Sequence, residues 1–258
     1  TAVGPWAAYG ASGFFAVCLL GYFWFLRMSD SPALPRAASR RAPDPVQNIR
    51  RYFAQPRLVL AWLIAISRNV WWVLFFIYTP IYAVESGLGA IVGGLIVSAG
   101  TGFLFLMPAW SWCVRTFGMR RLLVVGFSAT GGLTLLVAVA SGQPWLAVGL
   151  LLVAALSMVS LDAVGNAPFL AAVRPGERSE MTPVYATYRD IAEIAPPGVF
   201  ALLLMVFELP AVFVVGGLAM LCAGQLCRRM HPRLGRSRRP RPAMPAFRAP
   251  EPVEPAAN

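Results

Sequence analysis

SMVSLDAVGNAPFLAAVRPGERSEMTPVYATYRDIAEIAPPG, Ser157 to Gly198, leaves one long apolar segment, crosses a short charged loop and enters another. It holds four of the five charges that fall inside apolar segments anywhere in the chain: Asp162, Arg189, Asp190 and Glu193, the fifth being Arg68. A charge at the centre of hydrocarbon costs roughly 2.5–3.5 kcal/mol on insertion scales, so such residues are rare and mark candidate functional positions. Composition says that hydrocarbon is the right solvent to consider. The chain is 58% hydrophobic and 13% charged, with a mean hydropathy of +0.64, whereas soluble domains carry about 25% charged residues.

The 22 basic residues are all arginine, and the net charge is +11. These arginines lie between apolar segments and in a Pro-rich tail, without a basic stripe interleaved with aromatics on a polar fold. They read as determinants of membrane topology, not as a nucleic-acid surface. Cys18, Cys113, Cys222 and Cys227 show no CxxC spacing and read as small buried hydrophobes. The single histidine, His231, lies in the basic tail. That inventory excludes a His-ligated metal site or a Ser-His-Asp arrangement inside the membrane, and neither a metal nor a cofactor is expected.

Outward from the opening stretch, the hydropathy pattern predicts seven spans. Gly4–Leu26 is uncharged and about 34 Å long as a helix, enough to cross a bilayer. No basic residue precedes it, so it is not a signal peptide. The chain starts at Thr1, and we expect it to continue a longer polypeptide. Residues 27–57 form a basic linker with Arg27, Arg36, Arg40, Arg41, Arg50, Arg51 and Arg57, and its Val46–Ala54 part is expected to be a short amphipathic helix on the membrane surface, within reach of anionic lipid. A six-span domain follows over 58–227: Leu58–Ala83, Leu88–Trp112, Leu122–Ser141, Trp145–Ala171, Thr182–Phe207 and Leu209–Cys227. Every other connection is basic, which places those connections and the C-terminus in the cytoplasm and the N-terminus outside. Residues 228–258, rich in Arg and Pro, are expected to be a disordered cytoplasmic tail.

A long basic linker after one span and before six resembles the central loop of the major facilitator superfamily. Two motifs carry the resemblance further. In WCVRTFGMRRLL, Gly118, Arg120 and Arg121 match that family's cytoplasmic loop motif, in which a glycine is followed by paired basic residues; the acidic position of the motif is occupied here by Val114 or Arg115. YRDIAEIAPPG resembles the charged entry and Pro/Gly-interrupted middle of the family's penultimate span, with Pro196, Pro197 and Gly198 as the interruption. The resemblance covers residues 4–227. It implies an all-α membrane fold in which Gly4–Leu26 ends the first half, residues 58–227 form the second half, and five further spans precede them. It also implies a secondary active transporter working by alternating access, with proton-coupled efflux as one form, in a bacterial inner membrane.

The resemblance makes the second and fifth spans central and cavity-lining, which puts Arg68, Asp162 and Asn166 on or near the solute or coupling-ion pathway. Arg68 and Asp162 either neutralise one another as a buried pair or serve coupling through Asp162. Arg189 and Glu193, four residues apart, share a helical face and are candidates for an internal ion pair. Asp190 points about 100° away and is open to another helix or a loop arginine. Arg189, Asp190 and Glu193, with Pro196, Pro197, Gly198, Gly118, Arg120 and Arg121, are thus the gating candidates. Gly89 and Gly93 form a GxxxG expected to bring helices close, and Trp71 and Trp72 read as packing or interface anchors. The expected partners are membrane lipids, a small solute, protons and the first-half helices. A seven-span receptor and an intramembrane enzyme are the alternatives; a retinal-type sensor needs a lysine that this chain lacks.

Overall fold

The computed structural model describes residues 5–25 and 45–229, which fall in two units dividing after Pro43. No strand occurs among the described residues. The first unit contains α1 (Pro5–Phe25). Its apolar part, Tyr9–Phe25, exposes Phe14, Phe15, Leu20 and Trp24 among others, as expected of a helix made to meet lipid or other helices on every side. Most of the basic linker and nearly all of the Arg/Pro-rich tail lie outside the described residues.

The second unit opens with α2 (Pro45–Phe53), the short amphipathic helix expected from the linker sequence, and α3 (Pro56–Glu85). The next span is Ala90–Phe117, built from α4 (Ala90–Gly102), a 3-10 segment at Phe103–Leu106, and α5 (Met107–Phe117). Gly118, at φ +87°, turns the chain into α6 (Met119–Val139). Then come α7 (Pro144–Val164), α8 (Ala167–Ala172), α9 (Arg178–Leu204) and α10 (Pro210–Arg228). Proline opens α3, α7 and α10, where its fixed φ suits the first turn and its missing N–H removes nothing. Inside a helix, proline removes the hydrogen bond to the residue four positions earlier and crowds that carbonyl. The two broken spans obey this rule. Pro108 lies four residues after Leu104 in the 3-10 segment, and Pro168 lies four after Val164, where α7 ends.

Five helical segments are long and apolar enough to cross a membrane: Pro56–Glu85, Ala90–Phe117, Met119–Val139, Pro144–Ala172 and Pro210–Arg228. The apolar part of α1 is shorter. α9 has the length, about 40 Å at 1.5 Å per residue, but Arg178, Glu180, Arg189, Asp190 and Glu193 keep it out of that set. The Pro/Gly interruption expected at Pro196, Pro197 and Gly198 does not break α9, which runs through all three. The interruptions sit in Ala90–Phe117 and Pro144–Ala172 instead.

The core forms where α6 packs along α10 and α7, and α3 along α9, α4 and α10. Trp71, Leu74, Phe75, Phe127, Leu151, Met158, Leu161 and Phe213 are almost completely buried there. Close approach is set by glycine at one crossing above all. A Cβ on Gly131 of α6 would lie 2.8 Å from the Gly217 carbonyl oxygen of α10, and one on Gly217 would lie 2.9 Å from the Gly131 oxygen. The expected GxxxG is half realised. Gly93 meets α3, its would-be Cβ 3.0 Å from Pro80 Cα, whereas Gly89 has open space and a φ of +89° and serves as the turn before α4. A second cluster, holding Tyr52, Leu58, Phe169, Met181, Tyr185 and Tyr188, joins α2 and α8 to the beginnings of α3 and α9.

Candidate functional site

Arg68 stands near the middle of α3 and Asp162 near the end of α7. Arg68 Nε is 3.2 Å from Asp162 Oδ1, and the side chains are only 12% and 16% exposed. Trp72 Nε1 donates to the other carboxylate oxygen, Oδ2, at 2.8 Å. Arg68 Nη1 donates to the Gly165 carbonyl at 3.1 Å. This carbonyl is available because the helix stops: Gly165 takes φ +53°, a conformation suited to glycine, and separates α7 from α8. A helix terminus leaves carbonyls without intrahelical donors, and Arg68 takes up this one. One guanidinium thus holds both a carboxylate and a helix break, so the two expected pathway residues Arg68 and Asp162 are brought together.

Asn166 lies on the other side of the same break. Its Oδ1 accepts from the Tyr185 hydroxyl of α9 at 3.2 Å, while the Tyr185 ring stacks on Phe169 of α8 with centroids 4.1 Å apart. Arg68, Asp162, Gly165, Asn166 and Tyr185 therefore form a continuous set of contacts across α3, α7, α8 and α9.

Trp72 does more than the packing expected of it. Its indole N–H is committed to Asp162, and its ring stacks on Phe76 at 5.3 Å. It lies four residues after Arg68, on the same helical face, and that spacing was the signal for it. Trp71 donates instead to Thr134 Oγ1 at 2.9 Å in the core. Nothing in the sequence pointed to Tyr185, which is nineteen residues from Asn166.

The gating candidates divide into two groups. Arg189, Asp190 and Glu193 are exposed on α9, and none makes an ion pair or hydrogen bond among the described residues. The Arg189–Glu193 pair open from spacing is not formed. Pro196 is buried and Gly198 exposed, with open space around its Cα. At the loop motif, Gly118 makes the turn and Arg120 Nη2 donates to the carbonyl of Arg228, the last residue of α10. A cation at a helix C-terminus meets both an unpaired carbonyl and the negative end of the dipole. Arg121 is exposed.

An ionic contact without a sequence signal ties α2 down. Arg51 reaches Glu177 at 3.4 Å and Glu180 at 3.2 Å, at the start of α9. Beside it the buried Tyr52 donates its hydroxyl to the Leu58 carbonyl at 3.0 Å. Burial, and then the neighbouring Tyr185, raises the Tyr52 pKa above the ordinary phenol value, so it acts as a neutral donor.

No group of three or more His, Cys, Asp or Glu side chains comes together among the described residues. What the site offers is a largely buried ion pair on a broken helix. No curated protein and no solved structure matches the chain. A family model, that of the Major Facilitator Superfamily, matches residues 2–197, well over half of the 258. The chain therefore belongs to the Major Facilitator Superfamily: it is a multi-pass integral membrane protein of a family of transporters.

Proposed function

We propose that the protein is a secondary active transporter that moves a small solute by alternating access, with the Arg68–Asp162 pair as its coupling element. The observation that carries this reading is that Arg68 bridges Asp162 and the Gly165 carbonyl at the break between α7 and α8. Neutralising Asp162, by a proton or by a cationic group of the solute, removes the counter-charge of Arg68. The guanidinium is then free to turn from the Gly165 carbonyl to a new anion, which alters what holds α8 and, through Asn166 and Tyr185, α9. Two rigid halves rocking about a midplane site is the general form of such transport. In this reading Arg189, Asp190 and Glu193 pair across the moving surface of α9, Gly118, Arg120 and Arg121 hold the turn between α5 and α6, and the basic connections and C-terminus face the cytoplasm.

The test is proton movement in proteoliposomes of the full-length protein loaded with a pH-sensitive dye and challenged with a panel of organic cations, anions and neutral solutes. Wild type should move protons only with particular solutes. Asp162→Asn should abolish that movement. Wild-type transport with unchanged pH dependence in Asp162→Asn would refute the coupling role.

A further inference from the structure

α2 has two faces, and only one is accounted for by the fold. With residues about 100° apart around the helix, Tyr52 and Asn48 project toward the protein, and Tyr52 is fully buried. Arg51 flanks the same face, about 60° around the helix from Asn48, and is held by Glu177 and Glu180. The other face carries Ile49 and Phe53, both large, apolar and about half exposed, with the exposed Arg50 beside them. Only Ala54 and Gln55 separate α2 from the first residue of α3, and the exposed Arg57 follows at once. Phe53 packs edge-on against Trp62 of α3 at 5.5 Å, so the apolar strip continues onto the side of the span.

We propose that this face is a docking strip for an anionic phospholipid of the leaflet that α3 enters at Pro56. The occupant follows from the chemistry on the strip. Ile49 and Phe53 suit acyl chains at the boundary of the hydrocarbon. Arg50 and Arg57 flank them at headgroup level and have no carboxylate partner among the described residues, since Glu177 and Glu180 are engaged by Arg51. Helices of this kind lie in the interface and bind through apolar burial together with attraction to acidic lipid. A soluble anion would satisfy the arginines but leave the apolar strip in water. Arg51 orients the strip, because it fixes the rotation of α2 about its own axis. The site is independent of the coupling role of Asp162 and survives if that role fails.

The experiment titrates the full-length protein in detergent with phosphatidylglycerol or phosphatidylcholine and counts bound lipid by native mass spectrometry. Wild type should retain phosphatidylglycerol in preference to phosphatidylcholine. Arg50→Gln with Arg57→Gln should weaken phosphatidylglycerol binding roughly thirty-fold, from about 1 kcal/mol for each arginine near an anionic surface, and leave phosphatidylcholine binding unchanged. Ile49→Ser should weaken both. Arg115→Gln with Arg174→Gln removes the same charge from exposed positions elsewhere and should change neither. The proposal is overturned if the Arg50/Arg57 variant keeps its phosphatidylglycerol preference, or if the Arg115/Arg174 variant loses it equally. It is also overturned if glycerol phosphate displaces the lipid at equal concentration, or if Ile49→Ser only converts a dimer to a monomer.

Discussion

The Arg68–Asp162 contact allows the structural and functional roles of a buried pair to be separated. Consider Arg68→Met, Asp162→Leu, and the two together. Each single change leaves one charge in a site where the partners are only 12% and 16% exposed, a situation that typically costs about 3–5 kcal/mol. The single changes are not equivalent. Asp162→Leu leaves Arg68 with the Gly165 carbonyl but orphans the Trp72 N–H; Arg68→Met leaves Asp162 with Trp72 but orphans the Gly165 carbonyl. The double change removes both charges and leaves the two orphaned neutral groups, at roughly 1–3 kcal/mol each. The double variant should therefore be far more stable than additivity predicts, with a coupling energy on the order of 3 kcal/mol. Thermal unfolding in detergent, followed by tryptophan fluorescence, measures the stability side of the cycle, and solute-driven proton movement measures the other. Stability should recover in the double variant while transport stays absent. Additive losses would mean that the pair does not form, and recovery of transport along with stability would mean that it is only a structural neutralisation.

Two further outcomes follow from the geometry. Gly131→Leu should destabilise the bundle by roughly 1–3 kcal/mol, because its Cβ alone would lie 2.8 Å from the Gly217 oxygen; Gly94→Leu, where nothing lies within 4 Å, should leave the unfolding temperature close to wild type. Trp72→Phe keeps an aromatic ring against Phe76 but removes the 2.8 Å donor to Asp162, so it should cost about 1–2 kcal/mol and shift the pH dependence of transport without abolishing it, a shift that proton-flux assays across pH would reveal.

The fold was legible where one residue sufficed to signal it. Charges inside apolar runs marked Arg68 and Asp162, and the linker's amphipathic pattern marked α2. What escaped depended on pairs distant in sequence. Gly131 and Gly217 are ordinary helix glycines until their helices cross, whereas the conspicuous Gly89/Gly93 spacing supplies only one contact. Glu177 and Glu180 read as loop charges until α2 brings Arg51 to them. Pro196 and Pro197 misled in a specific way: they sit inside a continuous helix, because a helix can tolerate a missing donor where its neighbours support it. Trp72 follows Arg68 by four residues, a spacing that puts the two on one helical face.

The exposed trio on α9 gives the bundle a compass. Arg189, Asp190 and Glu193 stand about 16–23 Å along the helix from its start, too deep for a short acidic side chain such as Glu193 to regain water by stretching along the helix. Acyl chains cannot be the permanent neighbours of that surface. A groove on the hairpin of α6 and α7, lined by Leu136, Val139, Leu146 and Leu150 with Gln143 at the turn, is mainly apolar and suits them better. The bundle therefore carries charge on one exposed surface and an apolar groove on another, and a membrane arrangement that turns Arg189, Asp190 and Glu193 toward acyl chains is the costly one.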